Sequence, residues 1–109
     1  LPAGRVKIIG GLSRFYCNIV ASSATIDIGN QAYTDTDGNT VAEDVDSMVD
    51  GLDVDTAGYF TMEGNTAAQK LLGGNHKFNS KDGVVIQIKS IAALANDDDV
   101  DGVITYVLD

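Results

Sequence analysis

The stretch TVAEDVDSMVDGL, residues 40–52, decides whether this chain is strand throughout or strand interrupted by a helix. Val41, Val45, Met48, Val49 and Leu52 fall at i, i+4, i+7, i+8 and i+11, the spacing of one face of an α-helix. Thr40 stands three residues before Glu43, as in a capping box. There the Thr hydroxyl accepts from the Glu N–H and the Glu carboxylate reaches back to the Thr N–H. Glu43 and Asp44 occupy the first turn, where the helix dipole favours negative charge. Gly51 is placed to end the helix. This spacing predicts one short α-helix over about residues 41–51.

Just upstream, Asp35, Asp37 and Asn39 alternate as oxygen ligands would, with Gly38 among them. A calcium loop of the EF-hand type wants ligands at positions 1, 3 and 5, glycine at 6 and a bidentate Glu at 12. Counting from Asp35, glycine comes at position 4 and Asp46 at position 12, and no entry helix precedes. The segment is therefore expected to be an Asx-rich turn. A looser Ca2+ site at Asp35, Asp37 and Asn39 is the minority alternative, and no cofactor is otherwise expected.

Outside residues 41–51 the chain reads as short strands punctuated by glycine and Asx turns. Arg5 to Ile9 alternates, with Val6 and Ile8 on one face and Lys7 on the other, until Gly10-Gly11 breaks it. Phe15 to Val20 and Ala24 to Ile28 are two more runs, expected to form a hairpin through Ser22-Ser23. Gly58 to Met62 is a short aromatic strand. Val84, Ile86 and Ile88 alternate with Val85, Gln87 and Lys89, the clearest strand of all. Val103 to Leu108 is the last, expected to pair with it across the polar loop from Asn96 to Gly102. Short strands at regular spacing predict a mainly β domain, an antiparallel sandwich or jelly-roll-like barrel.

At 109 residues the chain fits one domain with a core that needs no staple. The single Cys17 excludes an internal disulfide. No apolar run reaches the roughly 20 residues of a membrane helix. The start, LPAGRVKII, lacks an initiator Met and a signal-peptide layout, and reads as a processed or trimmed end. Net charge is −9, and from Phe15 to Gln69 ten acidic residues meet no Lys or Arg. Such a surface repels phosphate backbones and anionic membranes, so neither nucleic acid nor membrane is an expected partner. Arg5, Lys7 and Arg14 form the main basic cluster and the candidate contact for an acidic protein surface. Asp97-Asp98-Asp99 with Asp101 reads as a solvated acidic tip.

Catalytic material is sparse. His76 lies in a polar Gly-Gly-Asn-His-Lys turn and is expected at the surface, while Cys17 lies in a strand and is expected in the core. Neither Gly10-Gly11 nor Gly73-Gly74 has the layout of a phosphate-binding loop. No enzyme is expected; a small acidic hydrolase would need two carboxylates converging in a cleft.

Over nearly its whole length the chain resembles small structural proteins of tailed bacteriophages. The resemblance is carried by Pro2-Ala3-Gly4-Arg5-Val6, by Ser23-Ala24-Thr25-Ile26-Asp27-Ile28-Gly29, by the acidic turn Asp35 to Asp37, by Gly58-Tyr59-Phe60, and by Asp101-Gly102-Val103-Ile104-Thr105-Tyr106-Val107. It implies a head decoration (cement) protein, a β-rich domain on the outer surface of the capsid. Its partner would be the major capsid protein, whose neighbouring subunits it ties together, and it would self-associate, often as a homotrimer. The resemblance carries no catalytic residues. The alternative from a different class is a calcium- or carbohydrate-binding adhesin-like β module.

Overall fold

The computed structural model describes residues 1–19, 23–71, 75–91 and 98–109. Its strands are β1 (Gly4–Ile8), β2 (Arg14–Asn18), β3 (Thr25–Asn30), β4 (Tyr33–Thr34), β5 (Thr40–Val41), β6 (Asp44–Asp53) and β7 (Gly58–Thr61). A short helix, α1 (Ala67–Leu71), precedes β8 (Lys77–Ser80), β9 (Ile86–Ser90), β10 (Asp99–Val103) and β11 (Tyr106–Leu108). The fold is mainly β, and every pairing is antiparallel: β11-β1-β8, β10-β2-β7, β6-β3-β9 and the small hairpin β4-β5. The three larger sheets bury their apolar faces against one another in a sandwich-like arrangement. One cluster of buried side chains draws on all three, including Ile8, Phe78, Phe15, Cys17, Ile26 and Val49.

The helix predicted over 41–51 is not formed; that stretch is β5 and most of β6. Its helix-like spacing has another cause. Register with β3 runs Ile26↔Leu52, then Ile28↔Val49, then Asn30↔Asp44, so extra residues bulge from β6 between successive pairs. Each bulge resets the two-residue alternation, which leaves the adjacent Met48 and Val49 both buried. A strand with shifted phase thus mimics a helical stripe.

The bulges are possible because side chains satisfy the displaced backbone. The Gly51 N–H donates to Asp27 Oδ1 at 2.8 Å, and the Asp50 N–H to Asn65 Oδ1 at 2.9 Å. Asn65 Nδ2 returns a bond to the Asp50 carbonyl, and Gln69 Nε2 donates to that of Asp46 at 2.8 Å. Ser47 Oγ donates to Asn30 Oδ1 at 2.9 Å. Asp27, Asn30 and Gln69 are buried polar residues, and these bonds account for their burial.

A capping box does exist, but at Thr66-Ala67-Ala68-Gln69 rather than at Thr40. Thr66 Oγ1 accepts from the Gln69 N–H at 3.3 Å, and Gln69 Oε1 accepts from the Thr66 N–H at 3.2 Å.

Two expected hairpins are also replaced. β2 and β3 lie in different sheets, and β9 pairs with β3 rather than with the C-terminal strands. Part of the expected polar loop, Asp99 to Gly102, belongs to β10. Asn96 and Asp97 lie outside the described residues. The expected strand Val103 to Leu108 is likewise divided, with Val103 ending β10 and Tyr106 opening β11 in another sheet. Which strands meet was determined by the core rather than by local turn chemistry.

Candidate functional site

The acidic turn is the first candidate. Tyr33↔Val41 and Thr34↔Thr40 close the β4-β5 hairpin, and Asp35 organises its loop. Asp35 Oδ1 accepts from the N–H groups of Asp37 (2.9 Å) and Asn39 (2.8 Å), and Oδ2 from Asn39 Nδ2 (3.2 Å). These donors, the Asn39 backbone N–H foremost, hold the Asp35 carboxyl below the usual carboxylate range. The Asx turn is therefore present, and Asn39 turns its amide NH2 toward Asp35, the opposite of a shared-ligand arrangement. Among the described residues no three His, Cys, Asp or Glu side chains are grouped to hold a metal ion.

The basic candidates divide. Arg5 and Lys7 share one face of β1, and Lys7 stands directly opposite Lys77 of β8. Asp109 Oδ2 lies 3.6 Å from Arg5 and 3.8 Å from Lys77. Lys77 was not singled out from the sequence, although the alternation Lys77, Asn79 against Phe78, Ser80 carries its outward position. Arg14 belongs to β2, in another sheet, opposite Val103 and Thr61. The expected three-residue cluster is thus a row of Arg5, Lys7 and Lys77, with Arg14 placed elsewhere.

Cys17 and His76 both pack. Cys17 is fully buried, and burial pushes its thiol pKa up. The His76 ring lies 4.7 Å from that of Phe78, tilted by 39°, and the His76 carbonyl accepts the Ile8 N–H at 2.8 Å. Burial lowers the imidazole pKa. His76 is half-buried against the core edge rather than at the surface of a polar turn, because Phe78 follows it into β8.

The uncovered apolar surface was not anticipated. In β1, Val6 and Ile8 are buried; their partners on the same face of β11 are Leu108 and Tyr106. Leu108 is 72% exposed against 1% for Val6. The same holds in the neighbouring sheet, where Val100 of β10 is 37% exposed beside Cys17 at 0%. Both C-terminal strands are sheet edges, and their core-facing side chains overhang the core instead of entering it. Ser13 and Thr105 fix that overhang in place. Ser13 Oγ accepts from the Thr105 N–H (3.0 Å) and donates to the Ile9 carbonyl (2.9 Å), while Thr105 Oγ1 donates to the Leu12 carbonyl (3.0 Å).

Compared with known proteins, the chain matches no family model, no curated protein and no solved structure.

Proposed function

We propose that this chain is a virion structural protein, a head decoration protein that binds the outer surface of a tailed-phage capsid. It bridges subunits of the major capsid protein and self-associates, most simply as a homotrimer. The observation that carries the reading is the overhanging pair of edge strands β10 and β11, with Val100, Tyr106 and Leu108 in core-facing register yet open to solvent. An exposed apolar edge is a liability for a solitary domain and a ready interface for one that functions in an array. Full burial of one such side chain contributes about 1.5–3 kcal/mol, so a few anchors suffice for a lattice contact. The Arg5, Lys7 and Lys77 row beside this edge supplies charge for an acidic capsid surface. The remaining acidic surface keeps a densely covered particle soluble.

The test is cosedimentation with empty capsids assembled from the major capsid protein of the same phage, alongside analytical ultracentrifugation of the chain alone. Wild-type chain is expected to pellet with capsids, and Leu108→Asp to remain in the supernatant with an unchanged melting temperature. A chain that stays monomeric and leaves capsids bare refutes the reading.

A further inference from the structure

The outer face of the β10-β2-β7 sheet carries a different chemistry from the overhanging edge. Register places Asp101, Tyr16 and Tyr59 in one row across the three strands, and Val103, Arg14 and Thr61 in the next. This face is opposite to Phe15 and Phe60, whose rings stack 5.7 Å apart on the inner side. The Tyr16 and Tyr59 ring centroids are 5.2 Å apart with their planes tilted by 56°. Tyr59 is 81% exposed, so most of its ring presents an apolar surface to water. Arg14, Tyr16, Tyr59 and Asp101 border an open cleft of 370 Å³, within the ~300–1,000 Å³ range of small-ligand sites.

We infer that this face binds a neutral, β-linked oligosaccharide. A pyranose with equatorial hydroxyls has a flat face of C–H bonds and a rim of hydroxyls. The C–H face stacks on an aromatic ring, and the rim needs both donors and acceptors. Here the Asp101 carboxylate accepts, the Arg14 guanidinium donates, and the tyrosine hydroxyls do either. Among the described residues neither Arg14 nor Asp101 is engaged in an ion pair, so both keep their hydrogen-bonding capacity. The tilt between the rings matches a single chain that turns from one sugar to the next; a flat crystalline polysaccharide would call for coplanar rings. Charge selects among sugars as well. The cleft itself pairs one guanidinium with one carboxylate, while Asp99 shares the face of Asp101 and Asp53 and Asp55 border Tyr59, so polyanionic glycans are repelled.

The inference does not depend on capsid binding and fails separately from it. The full chain is titrated with cellohexaose, xylohexaose and chitohexaose, followed by calorimetry and by tyrosine emission, which no Trp obscures. At least one sugar is expected to bind, with Tyr59→Ala weakening it about tenfold and Tyr59→Phe, which keeps the stacking face, retaining most of the affinity. Asp101→Asn is expected to weaken binding through loss of the charged acceptor. Tyr59 and Asp101 are exposed, so melting curves of these variants are expected to overlay that of the parent. No binding of any of the three sugars at millimolar concentration, or binding indifferent to Tyr59→Ala, overturns the inference.

Discussion

Alanine in place of Gly29 tests the central sheet at its tightest point. Gly29 lies in β3, within the register shift between Ile28 and Asn30 that bulges β6. A methyl group there would stand 2.0 Å from the Asp44 carbonyl oxygen and 2.4 Å and 2.6 Å from the carbonyl carbon and oxygen of Val45. Ordinary C···O contacts are about 3.3–3.6 Å. Every colliding atom is backbone, so no side-chain rotation can relieve the clash, and β6 itself would have to move. Overpacking of this kind costs typically about 1–3 kcal/mol, with this site at the upper end. Reduced freedom of the unfolded chain returns about 0.4–1 kcal/mol. The net expectation is a loss of about 2–3 kcal/mol, or roughly 10–20 °C in Tm at this chain length. Gly58→Ala is the control, because a methyl group at Gly58 meets nothing within 4 Å. It should leave stability unchanged or raise it by up to about 1 kcal/mol. The assay is thermal and urea unfolding followed by circular dichroism. If the two variants melt within about 3 °C of each other, the close approach of β3 to Asp44 and Val45 is wrong, and so is the bulged-strand reading of residues 44–53.

Ser13→Ala should leave the Thr105 N–H without its acceptor and lower stability by about 1–3 kcal/mol, read by urea denaturation; no change would show that the β10–β11 connection is not held there. The Asp46 carboxyl is raised above the ordinary range, first by its hydrogen bond with the Asp44 carboxyl and then by burial and neighbouring acidic charge. Folding therefore favours the protonated form. The associated stability is present below the unfolded pKa and is lost as pH rises through the folded one. Asp46→Asn should accordingly raise Tm at pH 7 and do little below about pH 4, where Asp46 is already protonated; an equal gain at both pH values would contradict the raised pKa of Asp46. Cys17 is buried with a raised thiol pKa, so a thiol reagent should modify it only as fast as the chain opens, with labelling accelerating across the urea transition. Rapid labelling of the native chain would place Cys17 outside the core.

Some of this molecule was legible in its residues taken a few at a time. Alternation at Val6, Lys7 and Ile8 gave β1 its inner and outer faces, because a strand has a period of two wherever it lies. The spacing of Asp35, Asp37 and Asn39 foretold a turn held by a carboxylate, because an Asx turn needs only its own next few residues. The outward pointing of Arg5 and Lys7 followed from the same alternation. These are local properties, and local chemistry determines them.

Tertiary structure decided what depends on distant partners. Residues 41–51 have a helical apolar spacing and a plausible cap, yet they form strand, because β3 buries one edge against them and Asp27, Asn65 and Gln69 satisfy the bulges that create the spacing. None of those three residues is a sequence neighbour of the strand they serve. The same holds for the surfaces. Tyr16 and Tyr59 become a pair only through a register spanning 43 residues, and Leu108 comes to stand exposed beside the buried Val6 only through the pairing of β11 with β1. A sequence specifies which faces its strands can offer; which of those faces are buried, paired or left open is settled by the packing of the whole chain.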